Sequence, residues 1–285
     1  MPIDPERILS HRLPEILHSY VERDAILYAL GIGLGVDPLD EKDLAYLLET
    51  RLKVLPTMAV ILATPGMWMR EPALGIDYVR LVHSAQSAVF FRPLPPRADV
   101  VASARIASLH DRGAGRGAVL MVERIIVDAT SGDTYCILRQ TLLLRGDGGY
   151  GGPPPPSDEA ISIPGRTADR RLSIATSRRA ALIYRLSGDW NPLHADPAAA
   201  LAAGFQRPIL HGLASYGIAG LAVCRALGVP ADHLRSLSVR FTGIVTPGDR
   251  LDFSTWREGD DAYFEARVED RVVLGRGHAI LREPT

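Results

Sequence analysis

The sequence predicts an α+β fold built from two repeats, each a long apolar helix wrapped by a curved antiparallel β-sheet. Three observations carry that expectation. Segments rich in β-branched residues and broken by turns recur in both halves of the chain. An apolar, helix-like run precedes each set of them, and a glycine- and proline-rich stretch stands between the two sets.

In the first half the run L-P-T-M-A-V-I-L-A, from Leu55, reads as the first helix. It is apolar nearly all round, so it must be covered on every side, as a sheet curved around it would do. Residues 78–91, 100–109, 118–128 and 134–144 then read as strands of an antiparallel meander, separated by turns such as D-R-G-A-G-R-G and S-G-D. The run G-D-G-G-Y-G-G-P-P-P-P-S-D from Gly146 cannot continue a strand or a helix. Glycine is too free, and four successive prolines donate no hydrogen bonds. The expected organisation is a first repeat over 1–147, a linker over 148–165 and a second repeat over 166–285.

The second half opens with a short helix from Ser177 through Arg185, stopped by Gly188 in the left-handed conformation that helix ends favour. Asp196 followed by Pro197 makes an N-cap and first-turn proline for an alanine-rich helix ending near Gly204. The second long apolar run, I-L-H-G-L-A-S-Y-G-I-A-G-L-A, begins at Ile209. Strands are expected at 237–245, 250–256, 263–269 and 272–281, with T-P-G-D, E-G-D-D and E-D-R turns between them. The echo extends to R-P-L-P-P-R-A-D-V near Pro93, which corresponds to V-T-P-G-D-R-L near Pro247.

At 285 residues the chain suits two domains with sizeable cores. Its 32 Lys and Arg against 33 Asp and Glu give no general attraction to nucleic acid or to an anionic membrane. Cys136 and Cys224 lie in apolar surroundings without metal-ligand spacing, which points to two buried thiols in a reduced compartment. There is no signal-peptide core, no stretch of membrane-spanning length, and L-R-E-P-T at the C-terminus is not a peroxisomal address. A soluble, cytoplasmic protein is expected.

Chemistry concentrates in Y-R-L-S-G-D-W-N-P-L-H-A-D, residues 184–196, where Gly188, Pro192 and Pro197 bend the backbone around polar groups. Asp189 and His194 read as an acid/base pair with Asn191 between them, able to converge on one water. Each has a plainer reading: Asp189 as an Asx-turn residue beside a helix stop, His194 as a core histidine. Asp196 reads as the structural cap. His211 and Gly212 fall where the second apolar helix begins, so unpaired amide N–H groups there suit a developing oxyanion; close helix packing is the alternative for Gly212, and His211 reads as a helix-start or packing residue. Arg166, Arg170, Arg171, Arg178, Arg179 and Arg185 face one acid, Asp169. They read either as a solvated face or as a landing site for a phosphorylated carrier. G-I-G-L-G at Gly31 lacks the flanking signals of a nucleotide site and reads as a loop. Only the second half carries G-D-x-N-P-x-H, which implies that one half kept chemistry while the other became a binding wall.

Together these residues resemble the hydratase 2 family, the MaoC-like (R)-specific enoyl-CoA hydratases, in its two-repeat form. The family signature, an aromatic residue followed by S-G-D-x-N-P-L-H, runs from Tyr184 to His194, and P-I-L-H-G-L from Pro208 is its second block. Y-A-L-G-I-G-L-G at Tyr28, L-P-T-M-A-V-I at Leu55, L-V-H-S-A-Q at Leu81 and G-G-Y-G-G at Gly148 look like its N-terminal half. This chain reads H-S-A-Q at His83 where many relatives read H-G-E-Q. The resemblance implies a double hotdog fold that pairs as a homodimer, and a reaction in which Asp189 and His194, aided by Asn191, handle one water while the Gly212 amide stabilises an enolate. It implies an acyl-CoA thioester substrate, with coenzyme A as part of the substrate and no separate cofactor or metal. Arg166, Arg170, Arg171 and His211 are the expected substrate contacts of the second half. In the first, Val54, Leu55, Met58, Met67, Trp68 and Met69 are expected along an acyl tunnel. A hotdog thioesterase and a non-catalytic acyl-CoA-binding subunit are the rival readings.

Overall fold

The computed structural model describes residues 3–156 and 161–282. The first repeat contains α1 (Pro5–Ser10), β1 (Ile16–Tyr20), α2 (Glu22–Gly31), α3 (Glu41–Leu44), β2 (Leu81–Phe90), β3 (Ala98–Asp111), β4 (Ala118–Asp128) and β5 (Thr134–Leu144). The second contains β6 (Arg170–Ala175), α4 (Ala180–Tyr184), α5 (Pro197–Ala202), α6 (Gly212–Leu227), β7 (Leu234–Phe241), β8 (Arg250–Glu258), β9 (Asp261–Val268) and β10 (Arg271–Leu281). All ten strands join one antiparallel sheet in the order β1-β3-β4-β5-β2-β7-β10-β9-β8-β6. The order reads the same from either end once each strand is matched to its counterpart, so the internal echo is a structural duplication. Its centre is the β2·β7 seam, where Ser87 stands opposite Ser238.

The eight expected strands form, with ends displaced by a few residues. The outermost strands β1 and β6 were not foreseen. Each is short, and the arginines at 170 and 171 hide the inward positions Leu172 and Ile174 of β6 from a hydropathy reading.

The long helices differ between the repeats. α6 forms as expected, with every residue from Ala214 to Cys224 buried, which is why it is apolar all round. The run from Leu55 does not form its counterpart. It makes only a 3₁₀ segment, Pro56–Ile61, followed by Ala63 at φ +45°. Pro56 and Pro65 bracket the run too closely for a long helix, and Thr57, Val60 and Ile61 are β-branched. α6 also crowds this space. A Cβ on Gly220 would come within 2.9 Å of the Thr57 methyl, and one on Gly217 within 2.5 Å of the Tyr28 hydroxyl. One apolar core, with Tyr28, Met58, Tyr184, Tyr216, Leu237 and Phe253 among its members, therefore runs through both repeats around a single long helix.

The capping expectations hold with small shifts. Gly188 has φ +108°, and Asp196 accepts the Ala198 N–H at 2.8 Å ahead of Pro197. The helix expected from Ser177 begins at Ala180 and tightens to 3₁₀ over Arg185–Ser187, while the Ser177 hydroxyl accepts the Arg179 N–H. The start of the linker is tied down: the Asp111 carboxylate accepts N–H groups of Gly113, Gly149 and Gly151 at 2.7–2.8 Å. Residues 157–160 of the expected linker lie outside the described residues. Cys136 and Cys224 are buried free thiols, and no helix among the described residues is long and apolar enough to cross a membrane.

Candidate active site

The turn that follows α4 carries the G-D-x-N-P-x-H residues into a cleft between the repeats. α4 stops at Gly188, which frees the next residues from helical bonding. The Asp189 carboxylate accepts the Asn191 N–H at 3.2 Å, and the Asn191 side-chain oxygen accepts the Leu193 N–H at 3.1 Å. These two Asx turns, followed by a 3₁₀ turn over Pro192–His194, bring Asp189 and His194 to the same place. One ligand atom from each of Asp189, His194 and His211 lies within 4.8 Å of the others.

The hydrogen bonds fix the tautomers of both rings. His194 Nδ1 sits 2.9 Å from the Ile209 carbonyl, which can only accept, so Nδ1 carries the proton and Nε2 presents a lone pair. His211 Nε2 likewise donates to the Asp189 carbonyl at 3.2 Å, and its Nδ1 has no partner. The two rings stack with centroids 3.8 Å apart and planes at 28°. Burial pulls the His194 pKa below the usual histidine value, against the opposing pulls of the Ile209 carbonyl and Asp189. For His211, burial and the neighbouring His194 push it down to about 4. Both rings are therefore neutral near pH 7.

Asp189, His194 and His211 are also close enough to suggest a cation site. The stack argues against one: ligand lone pairs lie in the ring planes, and two nearly parallel rings cannot both aim them at one ion about 2 Å away.

The cleft has a volume of about 390 Å³. On one side stand Tyr184, Ser187, Asp189, Trp190, Asn191 and Leu213; on the other lie the loop from Val60 to Arg70 and the inner face of the first repeat's sheet. Trp190 is half exposed, with the Arg185 guanidinium 4.4 Å above its ring. At the start of α6 the Ala214 and Ser215 N–H groups both turn to the His211 carbonyl, leaving Gly212 and Leu213 as the open N–H end. The nearest side chain to a Cβ at Gly212 would be the Phe241 ring, at an ordinary contact distance of 3.7 Å, so close packing does not demand glycine there.

Several expected contacts lie elsewhere. Met58 is fully buried in the shared core and does not line the cleft, and neither do Val54 and Leu55, which are buried in the same core. Met67, Trp68 and Met69 do line it. Arg166, Arg170 and Arg171 are exposed at the sheet edge, away from the cleft lining. Arg166 pairs with Asp169 at 2.5 Å, Arg170 donates to the Asp169 carbonyl, and β6 as an outer strand turns these positions to solvent. They form an exposed, arginine-rich edge outside the cleft lining. His211 is buried at the start of α6, as a helix-start residue would be, and it touches the acid/base pair directly.

Sequence reasoning missed the polar part of the opposite wall, namely Gln86, Arg124 and Gln140. Inward strand parity would have found Arg124, which shares the face of Leu120, Val122 and Ile126 on β4.

Residues 18–146 match the model of the MFE-2 hydratase 2 N-terminal domain, and residues 159–275 match that of the MaoC like domain. The chain is 38% identical to a 3-hydroxyacyl-thioester dehydratase Y of Mycobacterium tuberculosis, over 97% of this chain and 98% of the relative. It is 36% identical to a peroxisomal enoyl-CoA hydratase 2 of Arabidopsis thaliana, over 93% of this chain and 90% of that one. Among solved structures, a MaoC-like dehydratase from Phytophthora capsici superposes with a TM-score of 0.84 and 29% identity, covering 98% of this chain and 99% of the other.

Proposed function

Because the chain belongs to the two-repeat, MaoC-like hydratase 2 family, we propose that it adds water to a trans-2-enoyl-CoA to give the (R)-3-hydroxyacyl-CoA, and removes it in reverse. The observation that carries this reading is the pairing of Asp189 with a buried, neutral His194 whose Nε2 lone pair is left bare beside the cleft.

The chemistry follows from those groups. A conjugated thioester makes C3 electrophilic. Water held by the Asp189 and His194 side chains attacks C3, the pair takes its proton, and the electron pair moves onto the thioester oxygen as an enolate. The N–H groups at the start of α6, Gly212 foremost, suit that oxyanion, and the helix dipole adds to them. The pair then returns a proton to C2, so that water is added with atoms and charge balanced. Asn191 contributes by holding the turn that aligns the two groups, and His211 by pinning the Asp189 carbonyl and backing the His194 ring. Pairing of two copies and a cytoplasmic setting belong to the same proposal, to be read by sedimentation and cell fractionation.

The test is loss of the enoyl-thioester absorbance on adding the protein to trans-2-enoyl-CoA, with product chirality read by an (R)- or (S)-specific dehydrogenase. Appearance of the (R)-alcohol, lost in Asp189→Asn and in His194→Gln, supports the reading. Release of free thiol in place of the alcohol would mark a thioesterase.

A further inference from the structure

The two repeats differ on the inner faces of their sheets. In the second, the inward positions of β9 are Ala262, Phe264, Ala266 and Val268, all buried and apolar against the core around α6. The corresponding row of β4 in the first repeat carries Arg124 between Val122 and Ile126, where no long helix covers the sheet. Register places Arg124 beside Ala104 on β3 and Leu138 on β5, and the next row sets Gln140 opposite Gln86 on β2. Both rows face the cleft that holds Asp189.

Among the described residues Arg124 is a cation without an anion. Its Nη2 donates to the Val60 carbonyl at 2.8 Å, while Nε is buried and has no acceptor. Among the described residues no carboxylate forms an ion pair with it. The nearby Glu123 points to the other face of β4, where Arg105 and Arg139 hold it at 2.7 and 2.8 Å. Burial lowers the Arg124 pKa only to about 10, so the charge persists at neutral pH. A wall meant for a plain hydrocarbon chain gains nothing from an inward guanidinium, because removing a cation from water is unfavourable unless an anion meets it.

We infer that the acyl pocket receives a chain whose far end carries a carboxylate, bound by the Arg124 guanidinium with Gln86 and Gln140 beside it, so that the substrate class is the ω-carboxy-trans-2-enoyl-CoA thioesters. This rests on the hydratase reading for its chemistry, though not for its recognition. The Arg124 guanidinium lines the same cleft as Asp189, two strands away from β2 in the order β4-β5-β2, and a guanidinium facing a cleft suits a carboxylate.

The test compares methyl-ended and carboxylate-ended trans-2-enoyl-CoA of equal length, in a series from about six to about sixteen carbons. A charge-assisted hydrogen bond in such a site corresponds to about 10- to 100-fold. The wild-type protein is expected to favour the carboxylate-ended substrate in kcat/KM by that factor at its best length, and Arg124→Met to erase the preference by losing far more on the carboxylate-ended substrate than on its methyl-ended partner. Arg124→Lys, which keeps the charge but not the fork, is expected to fall between. A methyl-ended preference at every length in the wild-type protein would overturn the inference, and that comparison needs no variant. Equal losses on both substrates in a folded Arg124→Met protein would assign Arg124 to the carrier's phosphates or to the scaffold, and would also overturn it. If neither substrate is hydrated, the hydratase reading fails by itself. Calorimetric binding of the two saturated thioesters then decides the inference alone: a carboxylate preference lost in Arg124→Met supports it, and equal affinities refute it.

Discussion

Replacing His211 by phenylalanine separates a positioning role from proton transfer. The ring keeps its volume and its stack on His194, but loses the Nε2–H bond to the Asp189 carbonyl. One hydrogen bond of this kind contributes about 1 kcal/mol, so kcat for hydration should fall about fivefold with KM little changed, and neutral-pH stability should drop by a similar energy. A second consequence comes from titration. The folded-state pKa of His211, about 4, lies below the ordinary histidine value of 6.5. The contribution is thus present above pH 6.5 and lost as pH falls through about 4, because the unfolded chain takes up the proton first. Over that window the loss is about 3 kcal/mol. His211→Phe should flatten the acid limb of stability by about one proton, leaving the variant the more stable protein below about pH 5. Urea unfolding at steps from pH 7 to pH 4 reads this, alongside initial rates at pH 7. A loss of rate as deep as in His194→Gln, with the fold intact, would refute the positioning role and make His211 a proton carrier. An unchanged acid limb would refute its burial as a neutral ring.

Asp189→Asn and His194→Gln should each lower kcat by about 100- to 10,000-fold while circular dichroism and thermal midpoint stay near wild type. Because burial lowers the His194 pKa, the acid limb of kcat/KM should lie below the ordinary histidine value, a position that a pH–rate profile checks directly. Gly212→Ala should leave the thermal midpoint nearly unchanged, since the nearest side chain to the added methyl is Phe241 at 3.7 Å, yet lower kcat by about 100-fold if the thioester oxygen must approach that amide. Gly217→Ala, by contrast, drives a methyl to 2.5 Å from the Tyr28 hydroxyl and should lower the midpoint clearly with less effect on kcat of the folded fraction. Asp111→Ala releases the N–H groups of Gly149 and Gly151 and should speed proteolysis between residues 148 and 153.

The eight inner strands were legible because their signal is local: β-branched runs end at glycine-bearing turns, and both properties act within a few residues. So was the turn holding Asp189 and His194, since Gly188 admits the left-handed helix stop and Pro192 and Pro197 fix their own φ. What was not legible depends on distant partners. Pro56–Ile61 has the composition of a helix, but its course is set by Pro65 and by α6, more than 150 residues away in sequence. That the arginines of β6 sit on the sheet's outer strand, away from the cleft lining, is likewise set by pairing that the local sequence does not reveal. Met58 looked like tunnel lining for a similar reason, since an apolar residue on a core turn and one on a cavity wall read alike. Arg124 needed the parity of β4 and the knowledge that nothing covers that row.

The seam between β2 and β7 has a consequence for biosynthesis. The first repeat's strands are all made once Leu144 has been added, but the partner of β2 is complete only at Phe241. At about 5 to 20 residues per second, ribosomal synthesis leaves an unpaired strand edge exposed for several seconds in every nascent chain. That edge can template pairing with a neighbouring nascent chain on the same message. A second copy of the first repeat supplied in trans would compete for it, and a stop codon placed between the repeats should yield a product that aggregates or recruits chaperones, where one placed after Leu281 does not.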